Sequence, residues 1–165
     1  MSGRQFSMPY QIPPVGLLPP AADAAGRTSA YHTLKNALKA YIVCHVNQGN
    51  AATVALTVLQ ATDVSGTSSK AINVVPIWLV ENTASADALV AQAAAASFTT
   101  DAALHDKIVV FEIVPEAAMD VNNTTLAFDC IAIQTGASNA ANITEAKLFV
   151  FEAYEGASAP STLTN

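Results

Sequence analysis

The stretch from Lys39 to Ala61 sets the pattern that the rest of the chain repeats. Tyr41 to Val46 is rich in β-branched and aromatic residues. Thr53 to Leu59 alternates, with Val54, Leu56 and Val58 on one face and Thr53, Ala55 and Thr57 on the other, because successive side chains of a strand point to opposite sides of its sheet. Between the two runs, Asn47-Gln48-Gly49-Asn50 supplies residues that reverse the chain at little steric cost. The pattern predicts two strands folded back on each other as a hairpin, one face of which is core.

Further runs follow the same logic. Ala71 to Glu81 (AINVVPIWLVE) is the most apolar, and Pro76 within it points to an edge position or a bulge, since proline leaves a gap in the ladder. Trp78, the only tryptophan, is expected in the core, where truncation to Ala would cost ~3–5 kcal/mol. A ligand pocket is the lesser reading for it, because no convergent polar groups accompany it in sequence. Lys107 to Val114 (KIVVFEIV) reads as a strand closed by Pro115, and residues 116–123 as a turn or one helical turn. Leu126 to Gln134 alternates with apolar residues on both faces, which predicts a central strand, and Ala146 to Tyr154 reads as the last strand. Ser85 to Thr100 is Ala-rich, so a short helix is expected over Asp87 to Ala95, while its end, Ser97 to Thr100, favours a strand. Loops are expected at Thr62 to Lys70 and Thr135 to Asn142. Six or so strands with at most one short helix predict an all-β chain folded as an antiparallel β-sandwich or barrel.

The two ends differ from this middle. Residues 1–30 hold five of the eight prolines, Pro9, Pro13, Pro14, Pro19 and Pro20, among Met8, Tyr10, Ile12, Val15, Leu17 and Leu18. Proline excludes helix interiors and ladder donors, so the segment reads as an extended proline-rich arm. Its apolar groups favour docking, either along its own domain or onto a neighbouring subunit. In the second case Met8, Tyr10, Ile12, Val15, Leu17 and Leu18 are the partner-binding residues. Ala21 to Ser29 reads as a hinge, residues 31–154 as the sandwich domain, and residues 155–165 as a loosely held polar tail.

Hydrophobic residues make up 52% of the 165 and charged residues 12%, with a net charge of -6. So sparse a charge suggests a surface partly covered by other subunits, copies of the chain itself included. Seven scattered Lys and Arg form no basic stripe, so no nucleic-acid partner is expected. No apolar run suits a secretory signal, and none approaches the ~20 residues of a membrane-spanning helix, so no membrane partner is expected and synthesis in the cytoplasm is.

Chemistry-bearing residues are scattered. His32, His45 and His105 lack metal-ligand spacing, and Asp101 with Asp106 or Glu116 with Asp120 lack that of a calcium loop. Cys44 and Cys130 read as buried free thiols, with a cross-strand disulfide the lesser reading. There is no G-x-S-x-G elbow and no glycine-rich phosphate loop. Glycosylation triplets at Asn122, Asn123 and Asn142 are of a kind common by chance. The expectation is no enzyme, no catalytic residues, no metal and no cofactor.

Several stretches resemble the head decoration, or capsid cement, proteins of tailed bacteriophages and prophages. They are Leu34 to Ile72, SFTTD (Ser97 to Asp101), KIVVFEI (Lys107 to Ile113), MDV (Met119 to Val121) and FDCIAIQTGASN (Phe128 to Asn139). The resemblance implies a jelly-roll-like sandwich without catalysis. It implies a place on the outer surface of an icosahedral virion, with the major capsid protein and copies of the chain itself as partners and the bacterial host cytoplasm as the place of synthesis. Deleting residues 1–26 is then expected to leave a folded domain that no longer binds shells. A tail or fibre protein, a carbohydrate-binding sandwich and, last, a hydrolase are the alternatives. A glycan module would expose two or three aromatics in line, whereas most of the aromatics here are expected on apolar strand faces.

Overall fold

The computed structural model describes residues 7–153 and 161–163, which form twelve strands and two single-turn helices. In chain order these are α1 (Met8–Gln11), β1 (Val15–Ala22), β2 (Arg27–Thr28), β3 (His32–Thr33), β4 (Ala37–Gln48), β5 (Ala55–Ala61), β6 (Lys70–Ala71), β7 (Val75–Val80), β8 (Val90–Ala95), β9 (Ser97–Thr99), β10 (Asp106–Ile113), α2 (Pro115–Ala118), β11 (Cys130–Thr135) and β12 (Asn142–Glu152). Sheet A has the order β1-β12-β4-β10-β7-β8 and sheet B the order β2-β11-β5-β6, all antiparallel. β3 pairs with β11 and β9 with β5, so both edges of sheet B are built from short pieces. The chain crosses between the sheets at nearly every step, which sets β1-β12-β4-β10 against β2-β11-β5-β6. This is an antiparallel β-sandwich, as the pattern of short strands predicted, and its strand order is that of a jelly roll, the form the family resemblance implied.

Strand periodicity explains the core. Ala40, Ile42, Cys44 and Val46 of β4, Val109, Phe111 and Ile113 of β10, and Ala146, Leu148 and Val150 of β12 point inward from sheet A. Val54, Leu56, Val58, Ile131 and Ile133 meet them from sheet B. Phe111, Ile42 and Leu148 lose all contact with water, each contributing ~1.5–3 kcal/mol of burial.

The hairpin expected over residues 39–61 does not form. β4 lies in sheet A and β5 in sheet B, so their apolar faces oppose each other across the core instead of lying side by side. Alternation reveals which side of a strand is buried, not which sheet it joins. Gly49 is needed for close approach: a Cβ there would stand 2.6 Å from the Ala141 carbonyl oxygen. The crossing is braced by Asn142, fully buried, whose Oδ1 accepts from Asn50 N at 2.8 Å and whose Nδ2 donates to the Ala52 carbonyl at 2.7 Å.

The helix expected over Asp87 to Ala95 is also corrected. Residues 90–95 are β8, paired with β7 at the edge of sheet A, and the chain then bends at Ala96 into β9 on sheet B. Alanine's helix preference is a few tenths of a kcal/mol per residue, and ladder pairing overrides it. Small side chains also suit a corner where both sheets come close. The described residues thus hold two helical turns instead of at most one, and only α2, opened by Pro115, lies where sequence placed a turn. Pro76 coincides with a register shift between Val75 and Ile77, the bulge that its missing N–H called for.

The described part of the N-terminal segment, residues 7–30, lies along its own domain. β1 pairs with β12 as the edge of sheet A, with register shifts on either side of Leu18 and with Pro19 and Pro20 exposed. Removing residues 1–26 would therefore delete a strand and the buried Leu17 and Leu18, contrary to the expectation that a folded domain would remain. The stretch read as a hinge holds Asp23, fully buried, clamped by Arg27 Nη2 at 3.1 Å and by the Thr144 hydroxyl. Most of the tail, residues 154–160 and 164–165, lies outside the described residues. Thr162 within it is buried: its carbonyl accepts from Thr33 N at 2.9 Å and its hydroxyl meets His32 Nδ1 at 2.9 Å.

Candidate functional site

The outer face of sheet A carries what the core periodicity leaves over. Residues out of step with Ile42, Phe111 and Leu148 face outward: Tyr41 and Val43 on β4, Val110 and Glu112 on β10, Phe149 and Phe151 on β12, and Trp78 on β7. Across neighbouring strands Phe149 pairs with Tyr41 and Tyr41 with Glu112, while Val43, Val110 and Trp78 form the next row. These side chains floor an open groove of ≈ 590 Å³, walled by Met8 and Ile12 on one side and by Leu89 on the other.

The rings are held in place. Tyr41 and Phe151 meet edge to face, their centroids 5.7 Å apart and their planes at 72°. The Lys39 ammonium lies 5.3 Å from the Tyr41 ring centre and forms an ion pair with Glu112. Trp78 Nε1 donates to Glu112 Oε2 at 3.2 Å. The hydrogen bond and charge of Lys39 hold the Glu112 carboxyl below its ordinary pKa, and the same bond raises that of Lys39. The groove therefore presents aromatic and aliphatic carbon around one carboxylate that is already engaged.

Trp78 is thus not a core residue. Ile77 and Leu79 take the inward positions beside it, and one polar partner, Glu112, meets its ring nitrogen. Tyr41, Phe149 and Phe151 were likewise not singled out from sequence, although each alternates with an inward residue: Ile42, then Leu148 and Val150. Strands apolar on both faces hide that signal. The six arm residues separate. Met8 and Ile12 join the groove, Leu17 and Leu18 are buried in the core, Val15 packs against the core, and Tyr10, 69% exposed, stands apart.

Other polar clusters are structural. Lys107 continues the inward row of β10 and is fully buried, its Nζ 3.2 Å from Gln48 Oε1, Glu81 Oε1 and Asp101 Oδ1 and bonded to the Ala103 carbonyl. Cys44 and Cys130 are buried free thiols on different sheets, as the principal sequence reading had it. Among the described residues no three of His, Cys, Asp and Glu come together to hold a metal, and no helix is long and apolar enough to cross a membrane.

No family model matches the chain, and no curated protein matches it. Among solved structures, the crystal structure of the SPBc2 prophage-derived protein YomS is similar to it, with a TM-score of 0.45 and 7% sequence identity over 83% of this chain and 90% of that one.

Proposed function

We propose that this protein is a non-enzymatic structural component of a tailed-bacteriophage virion, a decoration or cement protein on the outer surface of the head that bridges major capsid subunits. The observation that carries this reading is the open aromatic groove on sheet A. Tyr41, Trp78 and Phe151 are of the residue types that dominate protein–protein binding energy, and here they surround a concave, carbon-lined site able to take an apolar anchor from a partner. The stretches resembling decoration proteins supply the partner class. Repetition over a symmetric shell makes weak contacts sufficient, since linked sites raise avidity by ~10²–10⁴.

The same aromatics favour a second reading, a carbohydrate-binding module. Sugars need hydrogen-bonding groups aimed at their hydroxyls as well as a ring to stack on, and the groove's one carboxylate is held by Lys39 and Trp78. A protein side chain is the better match.

The test is co-sedimentation of the purified protein with empty heads assembled from the major capsid protein of the same genome. Saturable binding is expected, with at least a tenfold loss in Trp78→Ala and in Phe151→Ser. Full occupancy by both variants would remove the groove from the interface. Failure of the wild type to bind heads, together with saturable binding to immobilised oligosaccharides, would establish the second reading instead. Rings or filaments in negative stain without head binding would point to a tail or fibre component.

A further inference from the structure

We propose that β8 is the seam of a homodimer, in which two copies of the chain pair their β8 strands antiparallel and continue sheet A across both. The inference rests on the reading above, to which it adds a second copy of the chain as partner, and it draws its argument from a different part of the molecule.

The two edges of sheet A are unlike. At one end β1 is blunted by exposed Pro19 and Pro20, a device that stops a further strand from adding. At the other end β8 is, among the described residues, hydrogen-bonded only to β7, in unbroken register from Val90 to Gln92 with one shift beyond. It holds no proline, and no residue from Ala88 to Thr100 is charged. Val90 is 60% exposed, and the methyl groups of Ala91 and Ala93 are too small to keep another backbone from the ~4.8 Å ladder spacing. The Val90 carbonyl accepts a 3.2 Å bond from the amide of Gln92, a side-chain placeholder that an incoming N–H would displace.

Charge identifies the occupant and its direction. Copies with a net charge of -6 repel one another over most of their surface, and this neutral stretch is where two of them meet without that penalty. A parallel, in-register pair would set Asp87 against Asp87. The antiparallel pair sends the two aspartates to opposite ends. It is also self-limiting: each copy uses the same edge, and the free edges left to sheet A are the proline-blunted β1 strands, so growth of that sheet closes at two copies. Leu89 leads into β8 and walls the groove, so both grooves would open on one continuous surface and could engage a shell together.

Sedimentation equilibrium of the full chain at about 0.1 mM, a concentration that reveals dimers of micromolar Kd, should give twice the 17.1 kDa chain mass. Ala91→Lys/Ala93→Lys should halve that mass while leaving near-ultraviolet dichroism unchanged. In the wild type, amide protons of residues 90–95 should exchange slowly and accelerate on dilution, a readout that decides the matter even if the lysine variant misfolds. A wild type of single-chain mass, a dimer that survives both lysines, or β8 amides in fast exchange at all concentrations would overturn the proposal. Head binding by a monomer would overturn this inference alone, and a β8 dimer indifferent to heads would overturn the capsid reading alone.

Discussion

Trp78 Nε1 reaches diagonally from β7 to the Glu112 carboxylate on β10, 3.2 Å away, and so holds the only indole half-buried on the outer face of sheet A. Because the ring borders solvent, Trp78→Ala should cost ~1–2 kcal/mol, below the ~3–5 of a core tryptophan. Urea denaturation measures the difference. A loss of core size would mean that the groove is closed in solution.

Lys107 is a second point where polar chemistry enters an apolar row. Lys107→Met keeps the length of the side chain but leaves Gln48 Oε1, the Ala103 carbonyl and the Glu81 and Asp101 carboxylates without their shared cation, so a loss of ~1–3 kcal/mol is expected. Adding Gln48→Leu removes one orphaned acceptor together with the Nε2 bonds to the Ala52 and Asp101 carbonyls. The double variant should therefore lose less than the two single variants added together, and a strictly additive result in denaturant titrations would contradict the shared-donor account.

Burial lowers the pKa of His32 from 6.5, favouring the neutral ring in the folded state. As pH falls below 6.5 the unfolded chain takes up this proton first, so stability present above that pH declines until the folded ring itself titrates. The urea midpoint of the wild type should therefore drop between about pH 7.5 and about pH 5.5, and His32→Gln should show a shallower drop. Equal slopes for the two proteins would show that His32 does not contribute to the linkage.

Both thiols should be silent in the folded protein. Burial, helped by the Asp23 charge, pushes Cys44 up to about 12, and burial with the Asp129 carboxylate pushes Cys130 up to about 12. A thiolate-dependent reagent at neutral pH should label neither until the protein is unfolded, and then both. Rapid labelling of Cys44 in native protein would mean that sheet A opens readily.

The six strands that carry the core, β4, β5, β7, β10, β11 and β12, were legible because each pairs an apolar inner row with turn residues at its ends. Connectivity was not, since Val54, Leu56 and Val58 look the same whether they pair beside β4 or face it. Weak strands escaped for physical reasons. β8 is alanine, whose local preference points to helix, and β2, β3 and β6 are two-residue pairings fixed wholly by their neighbours. The groove was hidden by its own composition: Trp78, Tyr41 and Phe149 resemble core residues, and only their phase against Ile77, Ile42 and Leu148 separates them.

The partners of β1 and β4 carry a consequence for how the molecule comes into being. Val15 pairs with Leu148, and β4 is flanked on both sides by strands that come after residue 100, β10 and β12. A ribosome that has released the first hundred residues has delivered neither neighbour of β4, so one edge of that strand stays unpaired until translation passes Ile113 and the other until it passes Glu152. Such a nascent chain exposes unpaired strand edges, the surface that makes an incomplete β fold prone to aggregate.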